Sequence, residues 1–286
     1  MKPLDSITIV GVGLIGGSVG LAVRDRGVAK RIVGTGSRDA TLEAAMQRGA
    51  ITEPVSQPEA AVKDTDLVVI CAPVDHIVPL VVRLAPHCRP NTLITDAGST
   101  KQQIVQDVEQ AATAAKWPQG VRFVGSHPLA GNEKRGPQHA SADLFDNRAV
   151  VVTPTANTPN DDVTRLSDFW QALGARVVTM PADEHDRALA VTSHLPHLAA
   201  AAIAGATPQR YVTLTAGGWQ DATRIAAGDP VLWRQILLAN RTNLLDSLEQ
   251  FANLLAEWRA ALEARDAAAL ERLLAEAKRI RDAVGS

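Results

Sequence analysis

The stretch Ser6-Ile7-Thr8-Ile9-Val10-Gly11-Val12-Gly13-Leu14-Ile15-Gly16 decides the fold. Its first half is rich in β-branched residues, which favour a pleated backbone, and reads as a buried first strand. It runs without interruption into G-x-G-x-x-G. The glycines permit a tight turn and let the backbone approach a pyrophosphate. The residues after them open a helix, to about Arg26-Gly27, whose N-terminus favours an anion. A strand, glycine loop and helix in this order bind a dinucleotide. Gly11, Gly13, Leu14, Ile15 and Gly16 are therefore the first candidates for cofactor contact.

Outward from this unit, short β-rich runs alternate with helical stretches, the pattern of a parallel sheet with crossover helices. Strands are expected at 7–10, 31–34, 66–72, 92–96, 121–126, 148–153 and 176–180. After Pro181 the strand signals end, alanine and leucine dominate, and the apolar period becomes helical. This divides the chain into a doubly wound α/β domain over 1–181 and an all-α domain over 182–286. Asp229 can cap a helix that has Pro230 at its first position. Leu237, Leu244, Leu248, Phe251, Leu255 and Leu262 then recur at spacings of three, four or seven, which predicts one helix of about 30 residues, or roughly 45 Å. A second helix is expected from Asp266, carrying Leu270, Leu273, Leu274, Ala277 and Ile280. Such long apolar helices point to a homodimer formed through the C-terminal domain.

The 286 residues are 46% hydrophobic and 21% charged with a net charge of -2, a globular composition. No basic block favours nucleic acid or a membrane surface. Cys71 and Cys88 have no C-x-x-C spacing, so neither a disulfide scaffold nor a cysteine-based metal site is expected. No signal peptide is seen, and no uninterrupted apolar run approaches about 18 residues. A cytoplasmic protein that neither crosses nor binds a membrane is expected.

The acidic residue that holds the ribose of NAD is expected at the end of the second strand. The segment there reads Gly34-Thr35-Gly36-Ser37-Arg38-Asp39, with Gly36 at the acidic position. Ser37 and Arg38 suit a 2′-phosphate, which favours NADP, with NAD as the alternative. Ala72 and Pro73 stand at the end of the strand expected at 66–72 and are placed to cover the adenosine. Asp96-Ala97-Gly98-Ser99-Thr100-Lys101 follows the strand expected at 92–96 and opens another helix, with Ser99 near the nicotinamide half or serving as its N-cap. In Gly125-Ser126-His127-Pro128-Leu129-Ala130-Gly131-Asn132-Glu133-Lys134-Arg135-Gly136, a histidine sits in a stiffened turn just past an apolar run. Such a histidine suits proton transfer near neutral pH. His194 and His197 are three apart, but no third ligand accompanies them, so no metal is expected. His185, between Glu184 and Asp186, reads as a structural hinge residue.

The glycine loop, the 96–101 segment, the 125–136 segment, Ser193-His194-Leu195-Pro196-His197 and Asp221-Ala222-Thr223-Arg224-Ile225-Ala226, in that order, resemble the prephenate/arogenate dehydrogenase family of tyrosine biosynthesis. The resemblance covers nearly the whole chain. It implies a Rossmann-type N-terminal domain and a helical dimerisation domain. It also implies oxidation of prephenate to 4-hydroxyphenylpyruvate, with loss of carbon dioxide and hydride transfer to NAD(P)+, or of arogenate to tyrosine. His127 matches the catalytic histidine of that family, and Ser99 the serine that contacts both this histidine and the cofactor. Arg224 matches the arginine that holds a substrate carboxylate. His194, His197 and Glu133 match positions lining or gating the pocket. Hydride-transfer enzymes with a helical second domain and a catalytic lysine are a rival reading, but residues 190–204 contain no lysine. A rival from another class is a non-catalytic NADP-sensing regulator.

Overall fold

Six strands, β1 (Leu4–Val10), β2 (Ala29–Thr35), β3 (Glu53–Pro54), β4 (Leu67–Ile70), β5 (Leu93–Asp96) and β6 (Arg122–Phe123), form a sheet in the order β3-β2-β1-β4-β5-β6. Every neighbouring pair is parallel. This computed structural model describes residues 2–115, 117–131 and 134–283. The strand order winds outward from β1 in both directions, so the crevice where ligands bind opens at the C-terminal ends of β1 and β4. The sheet buries both faces. Ile7, Ile9 and Val69 join one core with Val19, Ile32, Phe145 and Trp170, while Val10, Val68 and Ile70 join a second with Ile77, Val81, Ile94 and Ile104. Alternate side chains of a strand point to opposite faces, so covering both requires the near-continuous apolar runs seen in the sequence.

A second, mixed sheet contains β7 (Gly125–Pro128), β8 (Ala149–Thr153) and β9 (Arg176–Thr179). β7 runs antiparallel to β8, and β8 parallel to β9. The single strand expected over 121–126 is thus two strands in two sheets. Val124 N still donates to Ile94 O at 2.9 Å. Two residues later the Asp96 carboxylate accepts from Ser126 N at 3.1 Å, and Ser126 Oγ donates to Asp96 O at 2.6 Å. Asp96 and Ser126 carry the chain across from the first sheet to the second. His127 consequently lies within a strand, paired with Val151, and not in the turn that the sequence predicts.

The helices are α1 (Leu14–Asp25), α2 (Asp39–Gln47), α3 (Pro58–Ala61), α4 (Val74–Leu84), α5 (Gln102–Ala114), α6 (Asn160–Ala172), α7 (Ala182–Leu189), α8 (Leu195–Ala206), α9 (Gly217–Thr223), α10 (Pro230–Ala239), α11 (Arg241–Glu263) and α12 (Ala267–Asp282). The expected caps form: Asp229 Oδ1 accepts from Leu232 N at 2.7 Å and Asp266 Oδ1 from Ala269 N at 3.0 Å. The 30-residue helix does not. It breaks at Asn240, which leaves helical geometry at φ -109°, ψ 27° because its side chain is drawn into a buried polar cluster. A five-residue π turn, Ala190–His194, joins α7 to α8 without interruption. The resulting run, Ala182–Ala206, is long and apolar enough to cross a bilayer by length and composition alone. It nonetheless carries buried His185, Asp186, His194 and His197, which are expensive in hydrocarbon.

The chain forms two compact units, Met1–Asn240 and Arg241–Ser286. The first holds both sheets and α1 to α10, and the second is the pair α11 and α12.

The middle of α1 is packed to backbone contact. A Cβ at Gly20 would lie 1.8 Å from Ala50 O. Gly20→Ala is therefore expected to lower stability by about 1–3 kcal/mol, the cost of overpacking. In an exposed helix the same change would stabilise by roughly 0.5–1 kcal/mol. Denaturant titration gives the sign, and a raised midpoint refutes the packing argument.

Candidate active site

The glycine loop has the geometry its sequence implies. Gly11 has a φ of +94°, and a Cβ there would lie 2.4 Å from Cys71 O. Gly16 is closed by Gly11 O, at 2.0 Å from the position of a Cβ, whereas a Cβ at Gly13 would meet no atom within 4 Å. Gly13 caps α1 with no side-chain hydrogen bond, and the first turn of the helix has no acidic residue. The N–H groups of Leu14, Ile15 and Gly16 are thus free of intrahelical partners at an open, positive helix end. Ala72 and Pro73 lie beside them, at the end of β4. Ser37 and Arg38 are exposed just after β2; the Arg38 carbonyl accepts from Thr41 N at 3.0 Å, while neither side chain makes a hydrogen bond or ion pair with another described residue. These features fit the pyrophosphate of a dinucleotide at the N-terminus of α1.

The helix after β5 differs from the sequence reading. It begins at Gln102, and Ser99 does not cap it. Its N-terminus is capped from another element: Asp186 Oδ1 accepts from Lys101 N at 2.8 Å and Asp186 Oδ2 from Gln102 N at 2.9 Å. Asp186 Oδ1 also lies 2.7 Å from His185 Nδ1, and His185 Nε2 lies 2.9 Å from His127 Nδ1. His185 is fully buried and is the hydrogen-bond partner of His127, so the hinge reading is corrected. Ser99 is half-buried at the end of β5 and makes no hydrogen bond to His127.

The row of bonds fixes the protons. Both Asp186 oxygens accept, so His185 Nδ1 carries the hydrogen and, in the neutral ring, His185 Nε2 is bare. His127 Nδ1 must then donate to it, which leaves the lone pair on His127 Nε2. That nitrogen bonds to no other described residue, and His127 retains 9% of its surface. The ring is also held neutral. Burial, then the neighbouring His185 and Lys101, push its pKa well below the usual histidine value of 6.5. Lys101 forms a fully buried ion pair with Asp96, whose carboxylate also accepts from Gly98 N at 2.8 Å. The site thus presents a neutral, pre-oriented hydrogen-bond acceptor.

His194 and His197 lie on the 182–206 helix and approach Trp233 of α10. His197 stacks on the indole at 3.5 Å between centroids and an interplanar angle of 10°. Burial pushes His194 down to about 4 and lowers His197 as well. Arg224 is exposed in the turn Arg224–Ala227 and makes no ion pair with a described residue. That turn leads to Gly228, where a Cβ would meet Trp233 Nε1 at 2.5 Å and His197 Cε1 at 2.9 Å. Arg135 pairs with Asp229 just beyond it. Glu133 lies outside the described residues. The residues that sequence reasoning missed are His185, Asp186, Lys101, Asp96, Asn240 and Trp233. One signal was available: Asp186, Ala190, His194 and His197 recur at four, four and three, a single helical stripe.

The family description "Prephenate dehydrogenase, nucleotide-binding domain" matches residues 19–179, and "Prephenate dehydrogenase, dimerization domain" matches 181–276. Prephenate dehydrogenase of Bacillus subtilis is 35% identical over 285 residues, covering 97% of this chain and 76% of that one. Cyclohexadienyl dehydrogenase of Zymomonas mobilis is 33% identical over 276 residues, covering 93% and 91%. Among solved structures, prephenate dehydrogenase from A. aeolicus in complex with hydroxyphenyl propionate and NAD+ superimposes with a TM-score of 0.89 at 29% identity, over 98% of both chains. Synechocystis arogenate dehydrogenase gives 0.81 at 28%, over 98% and 99%.

If His127 must be neutral to act, its depressed pKa sets the pH profile. The acid limb of kcat/KM is expected below pH 6.5, the ordinary histidine value, because protonation is delayed to lower pH. A limb at or above 6.5 contradicts the buried, neutral base. His185→Phe removes the orienting bond and should cut kcat about tenfold with cofactor affinity unchanged.

Proposed function

We propose that this chain, which belongs to the prephenate dehydrogenase family, uses His127 Nε2 to accept the proton of the substrate's ring hydroxyl as that carbon is oxidised. The reaction is the NAD(P)-dependent oxidation of prephenate, in which the ring loses carbon dioxide and becomes aromatic. NAD(P)+ bound on the glycine loop supplies the hydride acceptor. The observation that carries the role of His127 is the row Asp186, His185, His127, which directs one lone pair outward from a neutral ring. Aromatisation drives the loss of the carboxyl group, so the protein's part is to orient the ring and draw off one proton.

In this reading Ser99, just after β5, contacts the nicotinamide half. Arg224 holds a substrate carboxylate, with His194, His197 and Glu133 completing the pocket. Support for Arg224 is its exposed guanidinium, without an ion-pair partner among the described residues, on the turn leading to the His197–Trp233 stack. A planar guanidinium suits a carboxylate better than lysine does. NADP is the preferred cofactor, supported by exposed Arg38 and Ser37 and by Gly36 at the acidic position. Dimerisation through the C-terminal helices is supported by exposed Leu245, Leu255, Leu262, Leu274 and Ile280 on α11 and α12, more apolar side chain than a monomer needs to expose. We place the enzyme in the cytoplasm.

The deciding measurement is reduced-cofactor absorbance on incubation with prephenate or arogenate, each with NAD+ and NADP+. Turnover of prephenate with NADP+ preferred is expected, and a strong preference for NAD+ removes the Arg38 argument. His127→Asn should lower kcat by at least ~100-fold while leaving cofactor affinity intact. Arg224→Ala should weaken substrate binding by about 2–4 kcal/mol, through loss of a charge pair. An unchanged kcat in the first or an unchanged KM in the second refutes the role assigned.

A further inference from the structure

Asn240 sits at the break between α10 and α11, 3% exposed, and its side chain joins the two polar clusters of the site. Asn240 Nδ2 donates to Asp186 O at 2.7 Å and lies 3.0 Å from His194 Nδ1. A backbone carbonyl can only accept, so the amide group facing Asp186 O is the NH2. Its second hydrogen then points at His194 Nδ1, which must be the bare nitrogen. A neutral imidazole with Nδ1 bare carries its proton on Nε2. His194 is 1% exposed, and its Nε2 is buried without a hydrogen-bond partner among the described residues. The group is therefore a desolvated donor with nothing to donate to until a ligand arrives.

We infer that Asn240 is a positioning residue that fixes His194 as the Nε2–H tautomer, so that the pocket offers one N–H donor to a carboxylate or carbonyl oxygen of the substrate. This rests on the reading above that an acidic ring compound binds beside His127. It gives Asp186 two outputs of opposite kind. Through its carboxylate and His185 it leaves His127 with a bare Nε2, an acceptor for a hydroxyl. Through its backbone carbonyl and Asn240 it leaves His194 with a protonated Nε2, a donor for an acid or ketone oxygen.

The test is long-range proton–nitrogen correlation of the histidine rings in the full-length, 15N-labelled protein near neutral pH, with His194 assigned by its loss in His194→Gln. The wild-type spectrum is expected to show His194 protonated at Nε2 and His127 protonated at Nδ1. A His194 ring protonated at Nδ1 overturns the inference. Asn240→Asp substitutes a group that can only accept, which moves the His194 proton to Nδ1. KM for prephenate and the dissociation constant for hydroxyphenyl propionate should then rise about tenfold or more, with kcat changed by less than about threefold. A moved proton with unchanged affinity also overturns it. Where Asn240→Asp does not fold, two other variants decide. His194→Gln keeps a donor at the same reach and should hold affinity within about threefold, whereas His194→Phe should lose about tenfold. Equal losses in the two overturn the inference. Absence of turnover with either ring acid would count against the proposed function alone, since the spectrum needs no substrate.

Discussion

One carboxylate, that of Asp186, holds the catalytic region to the sheet. It accepts the first two free N–H groups of α5 and a ring nitrogen of His185, so the 182–206 helix is docked on the end of α5 at a defined height and angle. An anion at a helix N-terminus is favoured by the dipole as well as by the hydrogen bonds. The orientation of His185 follows from this contact, and that of His127 follows from His185. Without the contact, α5 would have exposed donors at a buried end and His127 no fixed tautomer.

Asp96 serves a parallel purpose on the sheet side. It stands at the end of β5, fully buried, and binds Lys101, Gly98 N and Ser126 N. Removing one partner of a buried pair leaves an uncompensated charge, typically costing about 3–5 kcal/mol, so neither residue is replaceable alone. The fork at Asp96 also explains why the chain abandons the parallel sheet after β6. Ser126 Oγ bonds Asp96 O and Thr95 Oγ1 and accepts from Trp170 Nε1 at 3.1 Å, and this anchors β7 directly before His127. The charge of Lys101, neutralised by Asp96 yet close to the imidazole, contributes to keeping His127 neutral.

What could be read from the sequence was what local chemistry determines. The strand and glycine loop at 6–16, the caps Asp229 and Asp266, and the apolar runs of β1 and β4 each depend on neighbours within a few residues, and each forms as expected. The misplaced strand and helix ends occur where a distant group overrides local preference. The strand at 121–126 splits because Asp96, thirty positions earlier, binds Ser126. The long helix breaks at Asn240 because its amide is taken by Asp186, 54 positions away. His185, between Glu184 and Asp186, reads as a hinge residue, since three polar residues in a row carry no apolar period to show that two of them are buried. His127 was identifiable as a residue type in a motif, but its partner was not, because the bond spans 58 positions.

The same reasoning accounts for the difference between the two helix ends at this edge of the sheet. α1 and α5 both start just after a strand of the central sheet, and each begins with free N–H groups. At α5 the Asp186 carboxylate accepts from Lys101 N and Gln102 N, so a negative charge of the protein itself already stands at that end. At α1 no side chain reaches back, the first turn carries no acid, and Gly13 leaves open the space a Cβ would fill. That end is open to an anion from outside the protein. The open end of α1 and the fixed orientation of His127 thus draw on the same physical resource, a helix dipole at a strand end. They are kept apart because one of the two ends is occupied by the protein's own carboxylate.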